Sequence, residues 1–324
     1  MVWVVHPDEV YTDSALVSRL LAMQFPQWAA LPIQPVASAG TDNALYRLGD
    51  ELVVRLPRVH WAVGQVEKEQ QWLPKLAPQL PLAVPAPLAM GVPGEGYPWH
   101  WSVYRWLDGK NAILDQLTDP SKAARTLAAF ITALQSLDAT HGPAPGEHNS
   151  GRGVPLGERD AAVRRALTKL QGRIDSDTAT KAWEVALQAP VWNHAPVWIH
   201  GDLHSGNLLA TNGQLSAVID FGCLGVGDPA CELIVAWNLF DTDSRQVFRE
   251  ALAIDDAMWE RGRGWALSMA LIALPYYWET NPTIVNASLH TLDTLLGTYT
   301  KSSLTMFAVP ATPVRRSGRP ARSK

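Results

Sequence analysis

The chain has 324 residues, 47% hydrophobic and 18% charged, with two cysteines and a formal net charge of −4. That composition supports a sizeable core in one large or two moderate domains, and it excludes global disorder and a disulfide framework. Five cations (Arg315, Arg316, Arg319, Arg322 and Lys324) fall within 311–324, so the remainder carries −9, which argues against a nucleic-acid partner.

In chain order, Val10, Leu16, Val17, Leu20 and Leu21 predict a helix over 8–23. Its N-terminal flank lacks the basic start and apolar stretch of a signal peptide, and "WALSMALIALPYYW" is too short to span a bilayer and contains Pro275. A soluble, cytoplasmic protein with no membrane partner is expected. Residues 44–48 and 51–56 read as two strands joined by Gly49-Asp50, a hairpin signal. Residues 64–77 read as a helix that Pro74 must kink or end. A Pro-rich connection over 78–98 leads to a buried strand, "WHWSVYRWL", at 99–107. After Gly109 the pattern turns helical. A helix is expected over 121–138 with Ser121 as its N-cap, then a Gly/Pro-rich loop over 141–158, then helices at 158–172 and 176–188. Short strands flank "HGDLHSGNLL", and helices dominate from Cys231 to Tyr299. The expected fold class is α+β. A small β-rich lobe with its linker strand would occupy 1–104, a larger helical lobe 105–310, and a disordered basic tail 311–324.

His200, Asp202 and Asn207 match H-x-D-x-x-x-x-N, and Asp220-Phe221-Gly222 follows thirteen residues after Asn207. This is the order and spacing of a kinase catalytic loop and its metal-binding D-F-G. Phosphoryl transfer from a nucleotide needs Mg²⁺ against the phosphates, and magnesium takes hard oxygen ligands. Asn207 and Asp220 are the candidate metal ligands, and Asp202 is the candidate catalytic base for the acceptor hydroxyl. Only "CLGV" separates D-F-G from Gly227-Asp228-Pro229, too short a segment to form a peptide platform, so a small-molecule acceptor is expected.

"HGDLHSGNLL…AVIDFG…GDPACEL", with "GTDNALYRLGDELVVRLPR" and "VYRWLDG", resembles the aminoglycoside phosphotransferase family over roughly residues 36–300. The resemblance implies a bilobal protein-kinase-like fold with ATP or GTP between the lobes. It makes His200 the residue that orients the catalytic loop and Asp228 the carboxylate that holds that loop's backbone. Arg55, where protein kinases carry lysine, becomes the phosphate-binding cation, and Glu69 its partner, with Glu67 as the alternative. Ser38, Gly40 and Thr41 would cap phosphates, and backbone around Ser102, Tyr104 and Arg105 would meet the base. His204 is read either as near the phosphates or as structural. The implied acceptor is an aminoglycoside-type antibiotic, with a macrolide or a metabolite (an amino alcohol, a sugar, homoserine) as alternatives. Glu232, Asp241, Asp243 and Glu279 are candidate acids for a cationic acceptor. Trp237, Phe240, Trp265, Tyr276, Tyr277 and Trp278 are candidate walls for an apolar one. Two readings from other classes stand beside these. One is a metal-dependent hydrolase using His200, Asp202 and His204, and the other is a nucleotide-binding pseudoenzyme, kept open by Arg55. The oligomeric state is not legible.

Overall fold

The computed structural model describes residues 8–37 and 40–297. The basic tail and Ser38 lie outside the described residues. Helix α1 (Ser14–Gln24) starts six residues later than its apolar pattern implied, because the Asp13 carboxylate accepts from Leu16 N at 2.7 Å and caps it. Its Leu16, Val17, Leu20 and Leu21 pack onto a five-stranded antiparallel sheet. The strands are β1 (Ile33–Pro35), β2 (Asn43–Leu48), β3 (Leu52–Pro57), β4 (Pro87–Gly91) and β5 (Trp101–Arg105), in the order β1-β2-β3-β5-β4. The β2–β3 hairpin turns at Gly49-Asp50 as expected. Strand β4 was read as part of a Pro-rich connection. Pro87 opens the strand at a register shift, and the strand lies at the sheet's edge, where proline is tolerated.

Helix α2 (Gln65–Leu76) lies between β3 and β4 in the chain and carries Pro74 in its last turn, where the ring removes the bond to the carbonyl four residues back and the helix ends two residues later. Below the sheet, β6 (Lys110–Asn111), β8 (Leu208–Thr211) and β9 (Gln214–Val218) form a second small sheet, and β7 (Val197–Ile199) pairs with β10 (Gly225–Gly227). Ala83 bridges to β9 through Val218 N–Ala83 O at 2.9 Å, tying the chain below α2 to the second sheet.

The helices are α3 (Pro120–Gln135), α4 (Asp160–Lys169), α5 (Ser176–Leu187), α6 (Val235–Asn238), α7 (Thr242–Leu252), α8 (Asp256–Tyr277) and α9 (Pro282–Leu296). Asp119 rather than Ser121 caps α3, accepting from Lys122 N at 2.8 Å, and Pro120 takes the first helical position, where its fixed φ fits. The buried face of α3, with Leu127, Phe130, Ile131 and Leu134, joins Trp198, Trp265 and Phe248 in the larger of two cores. No helix among the described residues is long and apolar enough to cross a membrane.

Candidate active site

The segment His200–Asn207 connects β7 to β8, and a carboxylate holds its start from beneath. Glu232 is fully buried; its Oε2 accepts from His200 N at 3.0 Å and its Oε1 from Gly201 N at 2.7 Å. Burial pushes its carboxyl up to about 7, against the two backbone N–H groups that favour the charge. Gly201 has φ +83°, and a Cβ there would lie 2.6 Å from Cys223 O, so no side chain fits. This corrects the role expected of Asp228. That carboxylate caps the turn that follows it, accepting from Ala230 N at 3.0 Å, and pairs with Arg261 Nε on α8 at 2.9 Å. After Pro229 the chain winds into a tight turn over Pro229–Ile234, and Glu232 is the residue that this winding aims at the loop. It also removes Glu232 from the acids available to an acceptor.

We predict that Glu232→Ala leaves two buried N–H groups without acceptors, at about 1–3 kcal/mol each. The fall in stability is measured by denaturant melts, and an unchanged midpoint would contradict it. The folded state holds the Glu232 proton more tightly than the unfolded chain. The site therefore contributes stability below the ordinary carboxylate value that is lost as pH rises through about 7. Glu232→Gln should lack that slope.

His200 is buried, and both of its ring nitrogens are engaged. Nε2 donates to Ile219 O at 3.0 Å, Nδ1 accepts from Asp202 N at 3.2 Å, and the ring meets Phe221 edge-on. Burial pulls its pKa down and favours the neutral form. A histidine so engaged has no lone pair for a metal, which argues against the hydrolase reading. Among the described residues no group of three or more His, Cys, Asp and Glu side chains could hold a metal ion.

Asp202 stands at the loop's open side, 27% exposed. Its Oδ1 lies 3.3 Å from Arg152 Nη2, and its Oδ2 3.5 Å from His204 Nε2 and 3.2 Å from Asn207 Nδ2. Burial would raise its carboxyl, but His204, Arg152 and His200 together hold it well below the usual range. His204 Nδ1 accepts from Gly206 N at 3.0 Å, which fixes the proton on Nε2, toward Asp202. Asn207 Nδ2 also donates to Asp202 O at 2.9 Å, so its Oδ1 is left without a partner among the described residues. Ile219 N donates to Asn207 O at 2.9 Å, setting Asp220 one residue from that contact. Asp220 has φ +63°, a left-handed conformation that aspartate tolerates better than most residues. Its Oδ1 accepts from Arg55 Nη2 at 2.8 Å and Gly222 N at 3.4 Å, and Oδ2 has no partner among the described residues. Asn207 Oδ1 and Asp220 Oδ2 are thus two hard oxygens unengaged among the described residues, on segments joined by the Ile219 N–Asn207 O bond, and carboxylate plus amide oxygen is a donor set that suits magnesium.

Arg55 projects from β3 into this cluster and is buried. Nη1 donates to Glu69 Oε1 at 2.5 Å and Nη2 to Gln65 Oε1 at 3.1 Å. Burial opposes its charge, but Glu69 and Asp220 raise its pKa well above the ordinary value. Glu69 is the partner, since Glu67 turns to His100 instead. Gly40 and Thr41 lie in the β1–β2 connection, where Thr41 Oγ1 sits 3.2 Å from Tyr277 OH of α8.

Ser102 and Tyr104 depart from expectation. Strand β5 pairs with β3 and β4 on its two edges, the Tyr104 hydroxyl donates to Glu69, and Ser102 faces Gln70 of α2. Arg105 N and Trp106 N are likewise bonded, to Ala86 O and Glu51 O. The first backbone N–H beyond the sheet with no partner among the described residues is that of Leu107. Contributors absent from the sequence reading are Arg152, Lys68, Gln65 and the Leu107 N–H. Lys68 Nζ donates to Gly222 O at 2.7 Å and His148 O at 3.1 Å, and burial draws its pKa down to about 8.

A family model described as "Phosphotransferase enzyme family" matches residues 33–265. Similar solved structures include the GDP and kanamycin complex of APH(2")-IIIa, 17% identical, covering 87% of this chain and 99% of that chain at TM-score 0.70. They also include macrolide 2'-phosphotransferase type I (17% identical, 92% and 97% covered, TM-score 0.58) and macrolide 2'-phosphotransferase MphH from Brachybacterium faecium (20%, 94% and 99%, TM-score 0.54). No curated protein matches the chain.

Proposed function

From the chain's membership of the phosphotransferase enzyme family, we propose that it moves the γ-phosphoryl group of ATP or GTP to a hydroxyl of a small molecule. The observation that carries this reading is the convergence of Asp202, Asn207 and Asp220, with Arg55 and Glu69 anchoring the last of them. Asn207 Oδ1 and Asp220 Oδ2 would hold Mg²⁺, which supplies charge neutralisation at the phosphate oxygens. Asp202 accepts a hydrogen bond from the acceptor hydroxyl, orients its oxygen in line with the γ-phosphorus and takes its proton as transfer proceeds. With its carboxyl held far below the usual range, Asp202 is ionised at any working pH and contributes more as an orienting anion than as a strong base. His200, engaged through both ring nitrogens, orients the loop. Arg55 contacts phosphate by exchanging its bond to Asp220, and Leu107 N–H meets the base. Gly40 and Thr41 cover the phosphates.

The segment after D-F-G returns at once as β10 against β7, which supports a small acceptor over a peptide. An aminoglycoside-type antibiotic is the first acceptor class proposed, supported by the −9 body and the kanamycin complex among the similar structures. A macrolide is the second. Of the four acids expected to meet a cation, Glu232 is buried under the loop and Asp241 caps α7, accepting from Ser244 N at 2.9 Å. Trp237, Phe240 and Trp265 belong to the core, which leaves Tyr276, Tyr277 and Trp278 as possible aromatic walls. The test is nucleoside-diphosphate release across aminoglycosides, macrolides, amino alcohols, sugars and homoserine. Acceptor-dependent release is expected with one class, and release indifferent to every acceptor would contradict the proposal.

A further inference from the structure

We infer that Arg152 is a positioning residue for the transfer reaction, fixing the Gly201 carbonyl and the Asp202 carboxylate with one guanidinium. This rests on the reading of Asp202 given above. Arg152 lies fifty residues before Asp202, in the Gly/Pro-rich loop between α3 and α4, outside every kinase-like motif in the chain. It is buried; Nε donates to Gly201 O at 2.7 Å and Nη2 to Asp202 Oδ1 at 3.3 Å. Its one ion pair among the described residues is with Asp202. Burying a guanidinium costs several kcal/mol unless an anion meets it, so the site is built around an ionised Asp202.

The loop is organised to present this one side chain. Asn149 Nδ2 donates to Arg152 O at 3.1 Å, and Gly146 N donates back to Asn149 Oδ1 at 3.0 Å. Gly153, at φ +84°, packs so closely that a Cβ would lie 2.8 Å from Ile199 Cδ1 and 3.0 Å from Gly227 Cα. Gly153 O accepts from Asp228 N at 2.9 Å, and Lys68 of α2 holds His148 O on the other flank. The planar fork is what the task requires. Two donors in fixed relation grip a backbone oxygen and a carboxylate oxygen together, which a lysine ammonium on a flexible stem cannot do. Arg152 holds Oδ1 while Asn207 Nδ2 and His204 Nε2 flank Oδ2, so the guanidinium fixes the carboxylate from the side opposite those two groups.

The test compares Arg152→Lys, Arg152→Met and Arg152→Ala with the wild-type enzyme. The measurements are kcat, acceptor KM, nucleotide affinity, Tm, and hydrogen–deuterium exchange over 200–207. For Met and Ala, kcat should fall about 100-fold, the scale of a small misplacement of a catalytic group, with acceptor KM and nucleotide affinity within about threefold. Exchange over 200–207 should rise. Lys, which keeps the charge, should lose less Tm than Met or Ala but recover little of kcat, and millimolar guanidinium should restore part of the Ala variant's kcat. A kcat within threefold of wild type in the Lys variant, a loss confined to KM, or unchanged exchange over 200–207 would overturn the inference. Wild-type protein that transfers to no acceptor would instead defeat the phosphotransfer reading, and the exchange measurement would then decide Arg152 by itself.

Discussion

Replacing Asp202 with asparagine is expected to lower kcat by about 10³-fold, the upper part of what a positioned acid–base group contributes, while nucleotide affinity stays within about threefold. Asparagine keeps the side chain's shape and can still meet Arg152 through its amide oxygen; its amide nitrogen then faces Asn207 Nδ2, but the backbone contacts Arg152 Nε–Gly201 O and Asn207 Nδ2–Asp202 O remain, so the loop should stay folded. It removes the negative charge and the proton acceptor. The nucleotide contacts proposed for Arg55, Leu107 and the metal pair reach Asp202 only through Asn207 Nδ2, which keeps the backbone oxygen of Asp202 as its acceptor, so binding should fall far less than rate. Steady-state kinetics set beside calorimetric nucleotide titration separate the two. Turnover within tenfold of wild type would remove Asp202 from its role, and a parallel collapse of nucleotide binding would show that the variant had disturbed the loop.

The second large effect is expected at Asp220. Asparagine is the informative substitution because it tolerates the φ of +63° that alanine would adopt only with strain. It loses the anionic oxygen proposed for Mg²⁺ and the charge that pairs with Arg55. A loss of about 3 kcal/mol, roughly 150-fold in affinity, is expected for nucleotide in the presence of Mg²⁺, and the enhancement by Mg²⁺ should vanish. The fold should survive, since Arg55 keeps Glu69 and Gln65 as partners. Titrations with and without Mg²⁺ read this directly, and an undiminished magnesium enhancement would contradict the assignment.

Much of the site was legible in the sequence because its chemistry is local. Asp202 and Asn207 lie on one short loop, and the β8–β9 hairpin returns the chain to Asp220 at a register fixed by strand pairing. Arg55 and Glu69 were legible only through the resemblance, which left Glu67 as an alternative that the Arg55 Nη1–Glu69 Oε1 bond removes. The losses came where a side chain reaches across the fold. Glu232 and Asp228 sit four apart in "GDPACEL", and only the tight winding after Pro229 decides which one faces the loop. Arg152 has no neighbour in sequence that hints at Asp202, although an arginine between two glycines in a polar loop was a signal for a shaped backbone. Strand β4 was hidden by Pro87 and the prolines before it, and the cap of α3 by two candidates on either side of Pro120, Asp119 and Ser121. The basic tail and Ser38 lie outside the described residues, so the expectations placed on them gain nothing from the fold.

The central claim is that phosphorus passes from nucleotide to an acceptor oxygen at Asp202. Phosphorus-31 NMR of wild-type protein with Mg²⁺, nucleoside triphosphate and the acceptor that stimulates diphosphate release tests it most directly. The account predicts a new phosphate monoester resonance growing in step with nucleoside diphosphate and absent in Asp202→Asn. Inorganic phosphate as the sole new product, at a rate that the acceptor does not change, would contradict it.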